Sequence, residues 1–132
     1  MSVILKNNND EYLFVVRAVD PKKGSLDFPG GFADEGEDLE TTTRREVKEE
    51  LGIEIGAFTY LCANSDEYLF DGINYSVSGA TYTADLPANA RLKPADDVAS
   101  VEFYKLEDIP ISRIAWPSMH EMIDALKATL KS

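Results

Sequence analysis

The stretch GFADEGEDLETTTRREVKEELGI, residues 31–53, places Glu46, Glu49 and Glu50 within five positions and closes them between Gly31 and Gly52. Carboxylates three and four residues apart on a helix are neighbours and repel one another. The helix itself is legible from about Asp38 to Leu51: Asp38 suits an N-cap, Glu40 suits the first turn, and Gly52 stands where a left-handed C-cap is expected. The run Thr41-Thr42-Thr43 is poor helix material, because β-branched side chains lose rotamer freedom, so tertiary packing must hold this segment. At 100° per residue the apolar stripe is Leu39, Thr43, Val47 and Leu51, with Glu46 and Glu50 along its edge and Glu49 further round. A merely solvated acidic face would lie opposite that stripe. Carboxylates on its rim face a cleft, where a divalent cation would offset their repulsion, and an all-oxygen donor set without histidine or thiolate suits Mg²⁺ or Mn²⁺.

Outward from the helix, Tyr12–Ala18 is apolar and rich in β-branched and aromatic residues, and it pairs naturally with Ser2–Leu5 across the polar turn Asn7–Asp10. Asp20–Ser25 reads as a loop, and Pro29-Gly30-Gly31 as a tight reversal where backbone can approach a ligand closely. Strand signals follow over Ile53–Ala63, Asn74–Leu86 and Val101–Tyr104, with Asp71-Gly72 as a hairpin turn between Tyr68–Phe70 and Ile73–Tyr75. From Pro117 a second helix presents Met119, Ile123, Leu126 and Leu130 on one stripe. Strands interleaved with two helices predict an α/β fold, a mixed sheet packed between helices, with no repeat or linker dividing residues 1–132.

The 132 residues are 44% hydrophobic, enough for one domain to bury a core without disulfide or metal staples. A lone cysteine, Cys62, and the lack of a signal peptide or membrane-spanning run predict a cytoplasmic protein. The net charge of −11 argues against nucleic acid and anionic membranes as partners, and a polyanionic substrate would need a cation. A homodimer is compatible with this composition.

At every fixed position residues 31–53 match the Nudix box, G-x5-E-x7-R-E-U-x-E-E-x-G-U with U aliphatic, through Gly31, Glu37, Arg45, Glu46, Val47, Glu49, Glu50, Gly52 and Ile53. Arg17–Gly30 and the order of the strands also resemble Nudix hydrolases. The resemblance implies an α/β/α sandwich and metal-dependent hydrolysis of a pyrophosphate bond, by water attack on phosphorus, in a nucleoside diphosphate joined to a further group X. It further implies that Glu46 and Glu50 are the main metal ligands, that Glu49 is a further ligand or the base, that the Gly31 carbonyl joins them, and that Glu37 and Arg45 form a supporting pair. A base outside the box is expected from Asp97 or Asp96, with Glu102 as a weaker third choice, although Asp at a strand entry also forms turns.

Group X is expected to meet aromatic residues near the hairpin turn, Tyr68, Phe70 and Tyr75, at least one of which should instead lie in the core. Arg17 is the expected phosphate contact; Lys22 and Lys23 serve solubility equally well, and His120 reads as an ordinary helix residue. The rival reading is a catalytically silent nucleotide-binding or regulatory module on the same scaffold, since fold alone never proves turnover. Such modules usually lose box carboxylates, and none is missing here. The Asp34–Asp38 stretch lacks the ligand spacing of a twelve-residue calcium loop.

Overall fold

The computed structural model describes residues 1–131, leaving Ser132, the last residue of the expected domain, outside the described residues. Strands β1 (Ser2–Lys6), β2 (Glu11–Arg17) and the short β3 (Leu26–Asp27) precede helix α1 (Leu39–Leu51). Strands β4 (Phe58–Phe70), β5 (Ile73–Asp85) and β6 (Val98–Lys105) then lead through two 3-10 turns into helix α2 (Ser118–Leu130). They form one mixed sheet in which β1 runs parallel to β5 and every other pairing is antiparallel. One edge of β2 is taken by β6, the other by β1 at its start and β3 at its end.

Period-two alternation sorts the strands onto two cores. Val3, Leu5, Leu13 and Val15 face α1 and meet Val47 and Leu51, whereas Ile4, Tyr12 and Phe14 face the opposite side and meet Met119, Met122, Ile123 and Leu126 of α2. The sheet therefore lies between the helices, the α/β/α arrangement expected. Fully buried side chains such as Phe14 and Leu13 each contribute about 1.5–3 kcal/mol of apolar burial.

Helix α1 begins as its caps require. Asp38 accepts from the Thr41 backbone N–H at 2.7 Å, and Gly52 closes the helix at φ 72° with its N–H donating to the Lys48 carbonyl. The threonine run is held by burial: Thr42 and Thr43 are inaccessible to solvent, and their hydroxyls donate to the carbonyls of Asp38 and Leu39. Leu39 itself is 41% exposed, so the stripe facing the core starts at Thr43; Leu130 likewise falls outside the α2 stripe, at 58% exposed.

Two strand boundaries differ from expectation. Residues 53–57 are not strand, because Ile53 and Ile55 turn inward to pack beneath α1 and Arg44 donates to the Ile55 carbonyl at 2.7 Å. The polar residues 64–67 continue β4 without interruption, their backbone paired with β5 from Asn64↔Gly79 to Glu67↔Ser76. The result is a 13-residue-per-arm hairpin closed at Asp71 (φ 53°) and Gly72 (φ 78°), the positive angles of a two-residue type I′ turn.

Candidate active site

Three pieces of backbone converge on the rim of α1. The Pro29-Gly30-Gly31 reversal crosses above it, tied to β1 by Val3 N–H to the Pro29 carbonyl and by the Ser2↔Gly30 bridge. The segment before β6 comes alongside, held by Lys93 N–H to the Leu51 carbonyl and Ala95 N–H to the Glu50 carbonyl. Asp96 turns that segment at φ 55°, and the Asp97 carbonyl accepts from Ala18 at the end of β2. Glu46, Glu49, Glu50, Asp96 and Asp97 thus line one cavity of about 930 Å³.

Glu50 is the most perturbed of the α1 carboxylates. It accepts from the Gly30 N–H at 2.9 Å and has no ion-pair partner among the described residues. Burial pushes its pKa up to about 8, with the nearby Glu46, Asp27 and Asp96 carboxylates adding to the rise against that one hydrogen bond. Burial also raises Glu46, against the Arg45 guanidinium. A Cβ built on Gly31 would sit 2.5–2.8 Å from the three carboxyl atoms of Glu46, so only glycine lets this carboxylate lie against the turn.

Arg45 ties the cluster to the loop before the helix. Its Nε and Nη2 donate to the two oxygens of Glu37, both at 2.8 Å, in a bidentate fork. Its Nη1 reaches Glu46 and Glu49, each at 3.1 Å, and Nη2 also donates to the Phe32 carbonyl. Hydrogen bonds from Arg45, then from Thr42 and the Asp34 backbone, hold the Glu37 pKa down to about 2. The Gly31 carbonyl accepts from the amino group of Met1 at 2.7 Å.

As they stand, no three acidic, histidine or cysteine side chains among the described residues enclose a single ion-sized point. The donors nevertheless suit a hard divalent cation. Glu50 is a partly buried carboxylate without a counter-charge among the described residues, and Glu46 lies over a Cβ-free backbone. Glu49, 46% exposed on its side chain, accepts from Arg45 Nη1 at 3.1 Å.

The wall across the cavity is of another kind. Arg17, Asp27, Phe32, Tyr68, Trp116 and Met119 line it. Tyr68 is half-buried, with its ring 6.3 Å from Phe32 and 6.4 Å from Trp116. Phe70 stacks on Tyr68 at 6.2 Å but is 60% exposed and, like Tyr75, lies outside the cavity lining. None of the three hairpin aromatics is in the core, contrary to expectation: the tip of the hairpin from Leu69 to Ser76 is exposed, and Tyr68 is half-buried.

Arg17 faces the cavity, but it is paired with Asp27 at 3.2 Å. Lys22, Lys23 and His120 are exposed and do not line it. Glu102 is bound by Arg113 and the Tyr104 hydroxyl, also outside the lining. Asp27, Phe32 and Trp116 were not legible as site residues: Asp27 and Phe32 flank the Pro-Gly-Gly turn without occupying a fixed motif position, and Trp116 precedes the α2 pattern with no local motif. The one signal that could have flagged Trp116 is that it is the sole tryptophan of the chain and stands beside a helix-starting proline.

A family model described as NUDIX domain matches residues 1–126. Among curated proteins the chain is 30% identical over 110 residues to an ADP-ribose pyrophosphatase of Methanocaldococcus jannaschii, covering 82% of this chain and 61% of that protein. It is 34% identical over 105 residues to the human mitochondrial NAD(P)H pyrophosphatase NUDT13, covering 80% of this chain and 25% of that one. The chain thus spans less than two thirds of either relative's length. The NUDIX domain of Shewanella oneidensis NrtR, solved with ADP ribose, superposes with a TM-score of 0.77 at 23% identity, over 98% of this chain and 85% of that one. A Caenorhabditis elegans Ap4A hydrolase does so at 0.72 and 22%, over 98% and 93%. Those likenesses establish the shared fold, and the family match over nearly the whole length, together with the complete box on α1, establishes that the chain belongs to the NUDIX domain family.

Proposed function

We propose that residues 1–132 act as one domain that hydrolyses, with Mg²⁺ or Mn²⁺, a pyrophosphate bond in a nucleoside diphosphate linked to a second group. The observation that carries this reading is Glu50: a partly buried carboxylate with no cation beside it, next to Glu46 and the Gly31 carbonyl, at the floor of a cavity large enough for a nucleotide. The intact set of box carboxylates favours turnover over a silent binding module. The relatives named for ADP-ribose and NAD(P)H pyrophosphatase activity support a diphosphate joining two larger groups.

In this mechanism Glu46, Glu50 and the Gly31 carbonyl would hold the metal, and Glu49 would complete the set. When bound, the metal neutralises phosphate charge and makes water a stronger nucleophile. Arg45, fixed by its fork to Glu37, holds Glu46 and Glu49 in line before metal arrives and limits their repulsion. Asp97 is the general base. The bond to Ala18 and the turn at Asp96 fix its backbone at the cavity edge, where its carboxylate can take a proton from the attacking water. Arg17 is placed to contact substrate from the facing wall. The acidic surface and the free thiol of Cys62 suit a reducing cytoplasmic setting.

The test is a panel of nucleotide-linked diphosphates and nucleoside triphosphates incubated with Mg²⁺ or Mn²⁺, with phosphate released from the products by a coupled phosphatase. Cation-dependent release from at least one substrate is expected. Full turnover in excess chelator, or binding without turnover across the panel, overturns the reading.

A further inference from the structure

The hairpin of β4 and β5 leaves an edge that no other backbone among the described residues pairs with. β4 stands last in the sheet and pairs only with β5, from Phe58↔Ala84 to Phe70↔Ile73. No turn, loop or further strand among the described residues makes a backbone hydrogen bond to the outward side of its 13 residues. A free edge of that length is a template for another strand, and proteins blunt such edges with lysine, proline or a covering segment. Residues 58–85 contain no lysine, arginine or proline. Toward the turn the edge is also apolar: Leu69, Phe70, Ile73 and Tyr75 are 69, 60, 55 and 46% exposed, and Asp71 is the only charged residue between Leu69 and Tyr75.

Charge and geometry select what covers this edge. A basic peptide would suit a chain of net charge −11, but it would bring its charges to a tip that offers a single carboxylate. A second copy brings an identical uncharged tip and an identical free edge, so one two-fold contact satisfies both. The four exposed side chains hold roughly 400 Å² of apolar surface per copy, about half of the ~800 Å² per partner of a stable interface, and the paired β4 backbone with its neighbouring side chains supplies the rest. We propose that two copies of this chain associate through the β4 edge and the hairpin tip, with the two β4 strands antiparallel about a two-fold axis, so that the sheet of one protomer continues into that of its partner. Asn64, Asp66, Glu67 and Tyr68 of the same strand line the cavity, and the seam therefore runs beside the candidate active site of each copy.

The test needs neither metal nor turnover. The full chain is followed by sedimentation velocity at concentrations from about 1 to 100 μM, and a monomer–dimer equilibrium is expected in that range. Backbone amides of β4 should exchange with deuterium more slowly in the concentrated sample than in the dilute one. A monomer at every concentration, or a dimer whose β4 exchange is unchanged, overturns the proposal. Leu69→Lys and Ile73→Lys, both at exposed positions, should each raise the dimer dissociation constant at least about 10-fold, because each substitution counts twice across the two-fold. Leu130→Lys makes the same charge change at an exposed leucine on α2 and should not weaken the dimer; weakening equal to that of the tip variants would place the contact elsewhere and sink the assignment. Since each copy carries −11, screening should favour association, and raising NaCl from about 50 to 500 mM should tighten the dimer. Loosening with salt would mark an ionic interface and exclude the hairpin edge as the contact.

Discussion

Helices α1 and α2 are each 13 residues long and pack on opposite faces of one sheet, yet they bring different kinds of surface to the same cavity. The α1 rim is a dense ionic network whose chemistry lies within residues 31–53. The α2 side is an aromatic and apolar wall assembled from residues near 17, 27, 68 and 116. A charged cluster on one helix needs only local geometry to bring its members together, because helix spacing does so automatically. A wall drawn from four segments exists only once the sheet is formed. The division predicts that the two sides can be disabled separately.

The largest effect should come from removing the charge that the α1 rim offers a cation. Glu50→Gln keeps shape and can keep the Gly30 hydrogen bond, but it is expected to lower kcat by roughly 10³-fold or more under saturating Mg²⁺. The metal-free melting temperature should hold or rise, since a charge raised in pKa by burial is removed. Excess chelator should reproduce the loss in the wild type, and metal at 100 times its Kd should stabilise the native state by about 2.7 kcal/mol, read as a rise in melting temperature. A Glu50→Gln protein that unfolds would make Glu50 structural and merge the two sides.

Gly31→Ala comes next. Its new Cβ meets the Glu46 carboxyl atoms at under 3 Å, so Glu46 must swing away from the turn. Activity should fall at least about 10-fold, with a weaker metal-induced stabilisation and little change in metal-free melting. Unchanged metal titration would show that Glu46 binds elsewhere.

On the other face the corresponding lesion is one of packing. Met119 is 1% exposed and belongs to the core under α2. Met119→Ala should cost about 2–5 kcal/mol in denaturant unfolding, through lost burial and the cavity left behind. A cost under about 1 kcal/mol would show that α2 collapses into the gap, and the wall with it.

What could be read beforehand follows the same division. Asp38 and Gly52 cap α1 as their local chemistry dictates, and the interleaving of strands with two helices implied a sheet covered on both faces. The misreadings lie where long-range pairing overrode local preference. Polar residues 64–67 gave no strand signal yet are carried through by β5, and Ile53 and Ile55 resembled a strand yet serve as packing beneath a helix. Asp27 carried no signal of its own, because its partner Trp116 is 89 positions away, a contact no local pattern encodes. Phe70 and Tyr75 fit the pattern of substrate readers, but the length of the hairpin carries them beyond the cavity.

The smallest expected effect belongs to Glu102, which the sequence offered as a third choice of base and which the structure sets on β6 outside the cavity. Its carboxylate accepts from Arg113 Nη1 at 2.7 Å and Nη2 at 3.0 Å and from the Tyr104 hydroxyl, so its lone pairs are committed away from any attacking water. Those hydrogen bonds, Arg113 first and then Tyr104, hold its pKa down to about 2, against an ordinary 4.5. A carboxyl depressed in the folded state stabilises it above the unfolded pKa, and that contribution is lost as pH falls through the folded one. The pair is solvent-accessible, so screening limits its worth to about 0–1 kcal/mol. Glu102→Gln should therefore leave kcat and KM unchanged while lowering stability by less than about 1 kcal/mol at pH 7. The gap between mutant and wild type, followed by urea unfolding, should narrow from about pH 4.5 downward and close near pH 2. A loss of kcat with stability intact would instead return Glu102 to the reaction and take the base away from Asp97.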